Sequence, residues 1–230
     1  MVTSARMLRS LAAIIPTRNE EHSIAAAIAS AISAGAAEII VSDGGSIDGT
    51  VAVARSAGAK VISGSGIRGE QLNRAAAEAT SDALIFLHGD SCLPRNAASM
   101  ALDALNEGYV FGGFRIAFQE TRMALRMAAA MINLRTRFSR CPWGDQGQFI
   151  SRERFISIGG YRPFPIMEDY EMALRMKGAG RVALINDFIE TSGRRFLRKG
   201  VLRTAALNWY VITLYHAGRS PDELARIYRC

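Results

Sequence analysis

The chain has 230 residues, 49% of them hydrophobic and 21% charged, so it can bury the core of one ordinary domain and is excluded from the disordered, collagen-like and coiled-coil classes. Lys and Arg number 28 against 21 Asp and Glu, a formal net charge of +7. Three cysteines, Cys92, Cys141 and Cys230, are odd in number and far apart, which excludes a disulfide framework and a CxxC site and makes the cytoplasm the expected compartment.

Near the N-terminus, Arg6 and Arg9 precede five apolar residues, 11–15, that stop at Pro16. A signal sequence needs roughly 7 to 15 apolar residues, so this stretch reads as a first core strand. It leads through Thr17-Arg18-Asn19-Glu20, a capping-box pattern, into a helix over 20–33. A second strand over 38–42 ends in the glycine-rich turn Asp43-Gly44-Gly45-Ser46-Ile47-Asp48, and the helix behind it stops near Gly58. A third strand over 60–63, a helix over 69–79 and a continuously apolar strand over 83–87 follow, and Pro94 opens another helix in the favoured first-turn position. This alternation predicts right-handed crossovers and a Rossmann-like, mostly parallel α/β sheet flanked by helices, with functional loops at the strands' C-terminal ends.

After Tyr109 the rhythm changes to a more helical second half. Residues 109–118 read as a longer strand, 122–138 as a basic amphipathic helix and 148–150 as a short strand. A helix over 168–177 ends at Gly178, an apolar helix spans 201–215, and Ser220-Pro221-Asp222-Glu223 starts a last helix. No stretch reaches the roughly 18 to 20 apolar residues of a membrane span. With no linker and no repeat, residues 1–230 read as one domain.

Four loops carry chemistry, each with a plainer alternative. Asp43 and Asp48 flank glycines that let backbone approach a ligand, and can accept from ribose hydroxyls or a base; alternatively Asp48 caps a helix. Gly64-Ser65-Gly66-Ile67-Arg68-Gly69 matches GxGxxG, so a dinucleotide site and an NAD-dependent oxidoreductase are formally available, although the motif lies on the third strand–helix unit and contains Arg68. His88-Gly89-Asp90 places two polar ligands at a strand end, suited to a divalent ion or to a cap. Glu168-Asp169 at a helix start suits an ionised base or plain capping.

Taken in order, Ile14-Ile15-Pro16-Thr17-Arg18-Asn19-Glu20, Asp43 to Thr50, Phe86-Leu87-His88-Gly89-Asp90 and Glu168-Asp169 resemble the family 2 glycosyltransferases with the GT-A fold over nearly the whole chain. Gly144-Asp145-Gln146-Gly147, Gly159-Gly160-Tyr161 through Asp169, and Thr191-Ser192-Gly193-Arg194-Arg195-Phe196 resemble a subgroup of small bacterial transferases associated with radical SAM and selenium or arsenosugar gene neighbourhoods. The resemblance implies an inverting enzyme that moves a sugar from a UDP- or GDP-sugar to an acceptor hydroxyl. Residues 1–108 would then bind nucleotide and 109–230 the acceptor. Pro16, Thr17, Glu20, Asp43, Arg68, His88 and Gly89 would line the nucleotide pocket, and Asp90 with His88 would hold Mn²⁺ or Mg²⁺. Asp169, beside Glu168, would be the general base, while Arg194, Arg195, Trp143, Asp145 and Gln146 would face the diphosphate or acceptor. One departure is His88, which stands where the usual DxD motif begins with aspartate.

The positive charge lacks any nucleic-acid-binding signature. Six arginines against Glu120 give residues 115–140 a net charge of +5, and Met123, Met127, Met131 and Leu134 recur at helical spacing, so that helix is either core or a peripheral membrane contact. His216 would complete a metal site or cap its own helix. Cys92 reads as a small half-buried residue beside the metal loop. Besides the NAD enzyme, a catalytically silent nucleotide-sugar or membrane-surface binding protein stands as the alternative.

Overall fold

The computed structural model describes residues 7–229; Arg6 and Cys230 lie outside the described residues. The N-terminal run is β1 (Leu11–Thr17), α1 (Ile24–Ser33), β2 (Glu38–Asp43), α2 (Thr50–Ser56), β3 (Lys60–Ser63), α3 (Arg68–Ala77) and β4 (Ala83–Phe86). It continues through β5 (Ser91–Cys92), α4 (Ala97–Asn106), β6 (Phe111–Phe118), α5 (Met123–Ser139), a 3₁₀ turn over Gly144–Gln146, β7 (Phe149–Ser151) and α6 (Arg152–Ser157). The chain closes with α7 (Glu168–Ala179), β8 (Val182–Thr191), α8 (Arg194–Lys199), α9 (Val201–His216) and α10 (Pro221–Arg229).

All eight strands join one sheet in the order β3-β2-β1-β4-β7-β6-β8-β5. The block β3-β2-β1-β4 is parallel, as is β6-β8, while β7 pairs antiparallel with both β4 and β6 and β5 antiparallel with β8. The expected α/β class therefore holds, with a mixed rather than purely parallel second half. Side chains alternate across β1 and β4. Leu11, Ala13 and Ile15 of β1, with Ala83 and Ile85 of β4, face α1, α2 and α4; Ala12, Ile14, Leu84 and Phe86 face α3, α6 and α7. Both faces are covered, which is why these strands read as unbroken apolar runs.

Local departures have physical causes. Thr17 ends β1 instead of capping a helix, and α1 begins only at Ile24, because Asn19 turns the chain at φ 57, a left-handed conformation that Asn tolerates. Pro94 lies three residues ahead of α4, and Gly178 sits within α7, which stops at Gly180. The unexpected strand β8 skips Asn186 and Asp187 at a bulge opposite Phe114 and Arg115, which breaks the alternation that would reveal it. At α10 the expected capping box is formed, Ser220 Oγ accepting from Glu223 N and Glu223 accepting from Ser220 N. The methionine stripe of α5 is not core: Met123, Met127 and Met131 are mostly exposed. Among the described residues no helix is long and apolar enough to cross a membrane.

From β1 the chain runs outward to β2 and β3, then crosses back to β4 on β1's other side. Such a reversal opens a crevice beyond the C-terminal ends of β1 and β4. Ile14, fully buried at the centre of this block, anchors it. Ile14→Ala is expected to lower unfolding free energy by about 2–5 kcal/mol in urea denaturation, against about 0.5 kcal/mol or less for exposed Met123→Ala.

Candidate active site

The crevice holds a cavity of about 460 Å³, lined among others by Arg68, His88, Asp90, Glu168, Asp169 and Arg195. The start of α3 and the loop after β4 form one wall. The start of α7 and the turn at Gly144 form the other.

Arg68, the first residue of α3, joins the walls. Its Nε donates to the Glu168 carboxylate, Nη2 lies 3.4 Å from Asp169 Oδ2, and Nη1 lies 3.2 Å from His88 Nε2. A guanidinium can only donate, so His88 accepts through Nε2 and carries its proton on Nδ1. Burial and the nearby guanidinium push His88 down to about 4, leaving it neutral at physiological pH. Burial also lifts Glu168 above the ordinary glutamate value; Arg68 opposes this and the Asp169 charge adds to it. Burial acts on Asp169 in the same sense, but Arg68, the Gly144 N–H, His88 and the Tyr170 N–H outweigh it and hold the carboxyl below the ordinary aspartate value. Asp169 Oδ2 accepts from Gly144 N at 2.8 Å and Oδ1 from Tyr170 N at 2.8 Å. Met167, directly before the acidic pair, adopts a left-handed φ of 69, and backbone strain of this kind persists where surrounding packing enforces it.

A second charged cluster lies at the rim. Arg194 Nη2 donates to Glu20 Oε2 at 2.8 Å and to Asp90 Oδ2 at 3.1 Å, and Glu20 also accepts from Ser23 Oγ. His88 and Asp90, expected to share an ion, thus engage different partners. Among the described residues no three His, Cys, Asp or Glu side chains are grouped to hold a metal. The oxygen donors that do converge are Glu20 and Asp90, and a hard divalent cation prefers such ligands.

Other expected residues take varied places. Asp43 is buried and closes its own turn by accepting from Gly45 N and Ser46 N. The Thr17 hydroxyl is buried without a partner, 3.3 Å from where a Cβ on Gly89 would stand, and Pro16 lines a small recess below His88 and Asp169. Trp143 and Asp145 line the main cavity. Burial raises Asp145, Arg135 partly offsetting it. Gln146 points away: its amide donates to Phe114 O and accepts from Thr136 Oγ1 and Trp143 N, holding the 3₁₀ turn in place. Asp48 caps α2 through Thr50. His216 meets the Tyr170 hydroxyl at 2.9 Å rather than a carboxylate. In the GxGxxG loop, the space beside Gly64 is filled by the Arg74 guanidinium and that beside Gly66 by Glu70, so no open phosphate cradle exists there.

Sequence reasoning did not single out Arg135, Tyr170 and Tyr228. Arg135 lies over the Trp143 ring at 3.5 Å and Arg195 over Tyr228 at 4.0 Å. Arg135 follows Met127 and Met131 at four-residue steps along α5, a usable signal; Tyr228 reaches the cavity only because α10 folds back on α9, which no local pattern encodes.

A family model described as glycosyl transferase family 2 matches residues 12–166. The chain belongs to this family. Glycosyltransferase AglJ of Haloferax volcanii is 38% identical over 172 residues, covering 73% of this chain and 54% of the relative, so this family 2 chain spans about half of that protein's length. The fold matches S. aureus TarS 1-349 with a TM-score of 0.64 at 14% identity, covering 96% of this chain and 69% of that one. It also matches glucosyl-3-phosphoglycerate synthase from Mycobacterium tuberculosis, in complex with Mn²⁺ and UDP-glucose, with a TM-score of 0.54 at 22% identity, covering 78% and 70%.

In this family 2 chain Gly144 stands against both walls of the crevice. A Cβ there would stand 2.8 Å from Asp169 Oδ2 and 3.1 Å from His88 Nε2. Gly144→Ala is therefore expected to lower the melting temperature in scanning fluorimetry, overpacking at a filled site costing about 1–3 kcal/mol.

Proposed function

We propose that the chain transfers a sugar from a nucleotide-diphosphate sugar, with UDP or GDP as the nucleotide, to an acceptor hydroxyl with inversion at the anomeric carbon. Residues 1–108 would bind the nucleotide and 109–230 the acceptor. The observation that carries this reading is Asp169, a carboxylate held ionised on the cavity wall facing the loop after β4. Each of its oxygens accepts a backbone N–H; Oδ2 also faces Arg68, and Oδ1 retains a second lone pair for the acceptor proton. As the acceptor oxygen bonds to the anomeric carbon and the bond to the diphosphate breaks, the proton passes to Asp169 and negative charge grows on the leaving group. Arg195, and Arg194 once a divalent ion takes over its two carboxylates, would balance that charge, while Arg68 stays with Glu168 and Asp169.

A divalent ion would be held by Asp90 with Glu20, and when bound it supplies charge neutralisation for a leaving diphosphate. The crystal structure of the mycobacterial synthase with Mn²⁺ and UDP-glucose supports that choice of donor and ion. His88, whose Nε2 accepts from Arg68, fits the role of a neutral polar group against the nucleotide better than that of a ligand. The NAD reading finds no support in the filled glycine loop.

Asp169→Asn is expected to reduce turnover of a UDP- or GDP-sugar by about 10²-fold or more, the usual weight of a general base, while the melting-temperature rise given by UDP or GDP stays unchanged. A silent binding protein would give the rise in the native chain with no turnover. Because Asp169 titrates below its ordinary value, its base form is complete at neutral pH and lost only as pH falls through that lowered value; the acid limb of kcat should lie below the ordinary aspartate range. A limb above the ordinary glutamate value would assign the base to Glu168 instead. Since Arg194 occupies the two carboxylates, Arg194→Gln should tighten nucleotide-free Mn²⁺ binding by several-fold in calorimetry and Asp90→Asn abolish it, one unit charge at this range being worth about 1 kcal/mol or more.

A further inference from the structure

A second cavity, about 270 Å³, lies between α5 and α9 and opens beside the first. Ala124, Met127, Ala128, Met131, Ile132 and Arg135 from α5 follow helical spacing, as do Val201, Leu202, Ala205, Asn208, Trp209 and Ile212 from α9. Its walls are nearly all apolar, yet Met127, Met131, Leu202 and Trp209 are 54% to 86% exposed. An apolar groove of this kind left open to solvent marks a binding surface. Ile132, Trp143, Phe196, Asn208 and Ile212 line both cavities, so the groove runs into the crevice that holds Asp169.

The charges at the junction differ from those deeper in. Arg68 and Arg194 are neutralised by carboxylates. Arg135 and Arg195 are instead backed by the rings of Trp143 and Tyr228, and among the described residues neither has a carboxylate within 4 Å. Arg135 Nη2 donates to the neutral Thr136 Oγ1 at 3.0 Å and Gln146 Oε1 at 3.2 Å, while its Nε is buried without a hydrogen-bond partner. A guanidinium held on an aromatic face with no carboxylate in reach keeps its charge, and whatever donors its neutral partners leave, for a phosphate-type oxyanion. Outside, Arg122, Arg126, Arg198, Lys199 and Arg203 also lack carboxylate partners among the described residues.

We infer that the acceptor is an amphiphile, a lipid with a hydrocarbon chain in the α5–α9 groove and a phosphate-bearing head at Arg135 and Arg195, presented to Asp169. This rests on the reading of the crevice as the transfer site. The cations sit where groove and crevice meet, which favours a single captured lipid over a bilayer surface or a second copy of the chain.

Both tryptophans of the chain, Trp143 and Trp209, line the groove, so intrinsic fluorescence reports on it directly. Titration of the full chain with monomeric dodecyl phosphate should give a saturable change. Dodecanol should bind about tenfold more weakly and inorganic phosphate leave the emission unchanged, a lost charge-assisted bond being worth about a factor of ten. Met131→Arg should abolish the response while keeping the UDP- or GDP-induced rise in melting temperature, which shows the fold intact. Arg195→Gln should weaken dodecyl phosphate about tenfold and leave dodecanol unchanged. Equal binding of alcohol and phosphate, or no saturable response, overturns the inference. So does a response only to vesicles of mixed neutral and anionic phospholipid, or a dimer in light scattering that Met131→Arg dissolves without any lipid effect. Loss of the nucleotide-induced rise in the native chain alongside a retained dodecyl phosphate response would refute the donor reading and leave the groove assignment standing.

Discussion

Everything at the centre of this molecule depends on one guanidinium. Glu168 is almost wholly buried and stands next to a second acid, an arrangement that burial and mutual repulsion oppose by several kcal/mol unless a cation is supplied. Arg68 supplies it from the opposite half of the chain, and an arginine is needed because its planar fork serves two carboxylates and an imidazole from one position. The protonation pattern follows from that single charge and from burial: His88 neutral, Asp169 ionised, Glu168 drawn upward. The neighbouring residue makes the reach achievable. Gly69 lets α3 approach so closely that a Cβ there would stand 2.9 Å from the Arg162 carbonyl oxygen.

The N-terminal half was legible because its strands are buried on both faces and its loops carry the turn residues that parallel units require. The β1 to β4 boundaries lie close to their apolar runs, and the loop after β4 opens on the crevice, with Arg68 at the start of α3 beside it. The second half was less so. The strand β8 hides behind the bulge at Asn186 and Asp187, and α6 and α8 are six residues each, too short for a periodic signal. At the site, Asp90, Glu168 and Asp169, singled out by residue type, and Arg68, implied by the family resemblance, do line one cavity, but their partners were not legible. Nothing local in His88-Gly89-Asp90 says that the histidine turns toward Arg68 while the aspartate turns toward Arg194, since both partners arrive from distant segments, 20 and 104 residues away. Likewise Gln146 and Asp43 carry the chemistry of ligand contacts yet spend it on their own turns.

One short strand in the sheet has the widest reach. Strand β7 has three residues, and through them the parallel block around β1 meets the block of β6 and β8. Phe149 packs on Phe114 on one face while Ile150 lies in the cluster on the other, and Gln148, just before them, binds the Tyr161 hydroxyl and the carbonyls of Pro142 and Asp169. A slip of one residue would send each of these side chains to the wrong face. The distance between the two walls of the crevice is therefore a matter of strand register, set when the sheet forms, and the alignment of His88 with Asp169 is as exact as the pairing of Ile85 with Phe149.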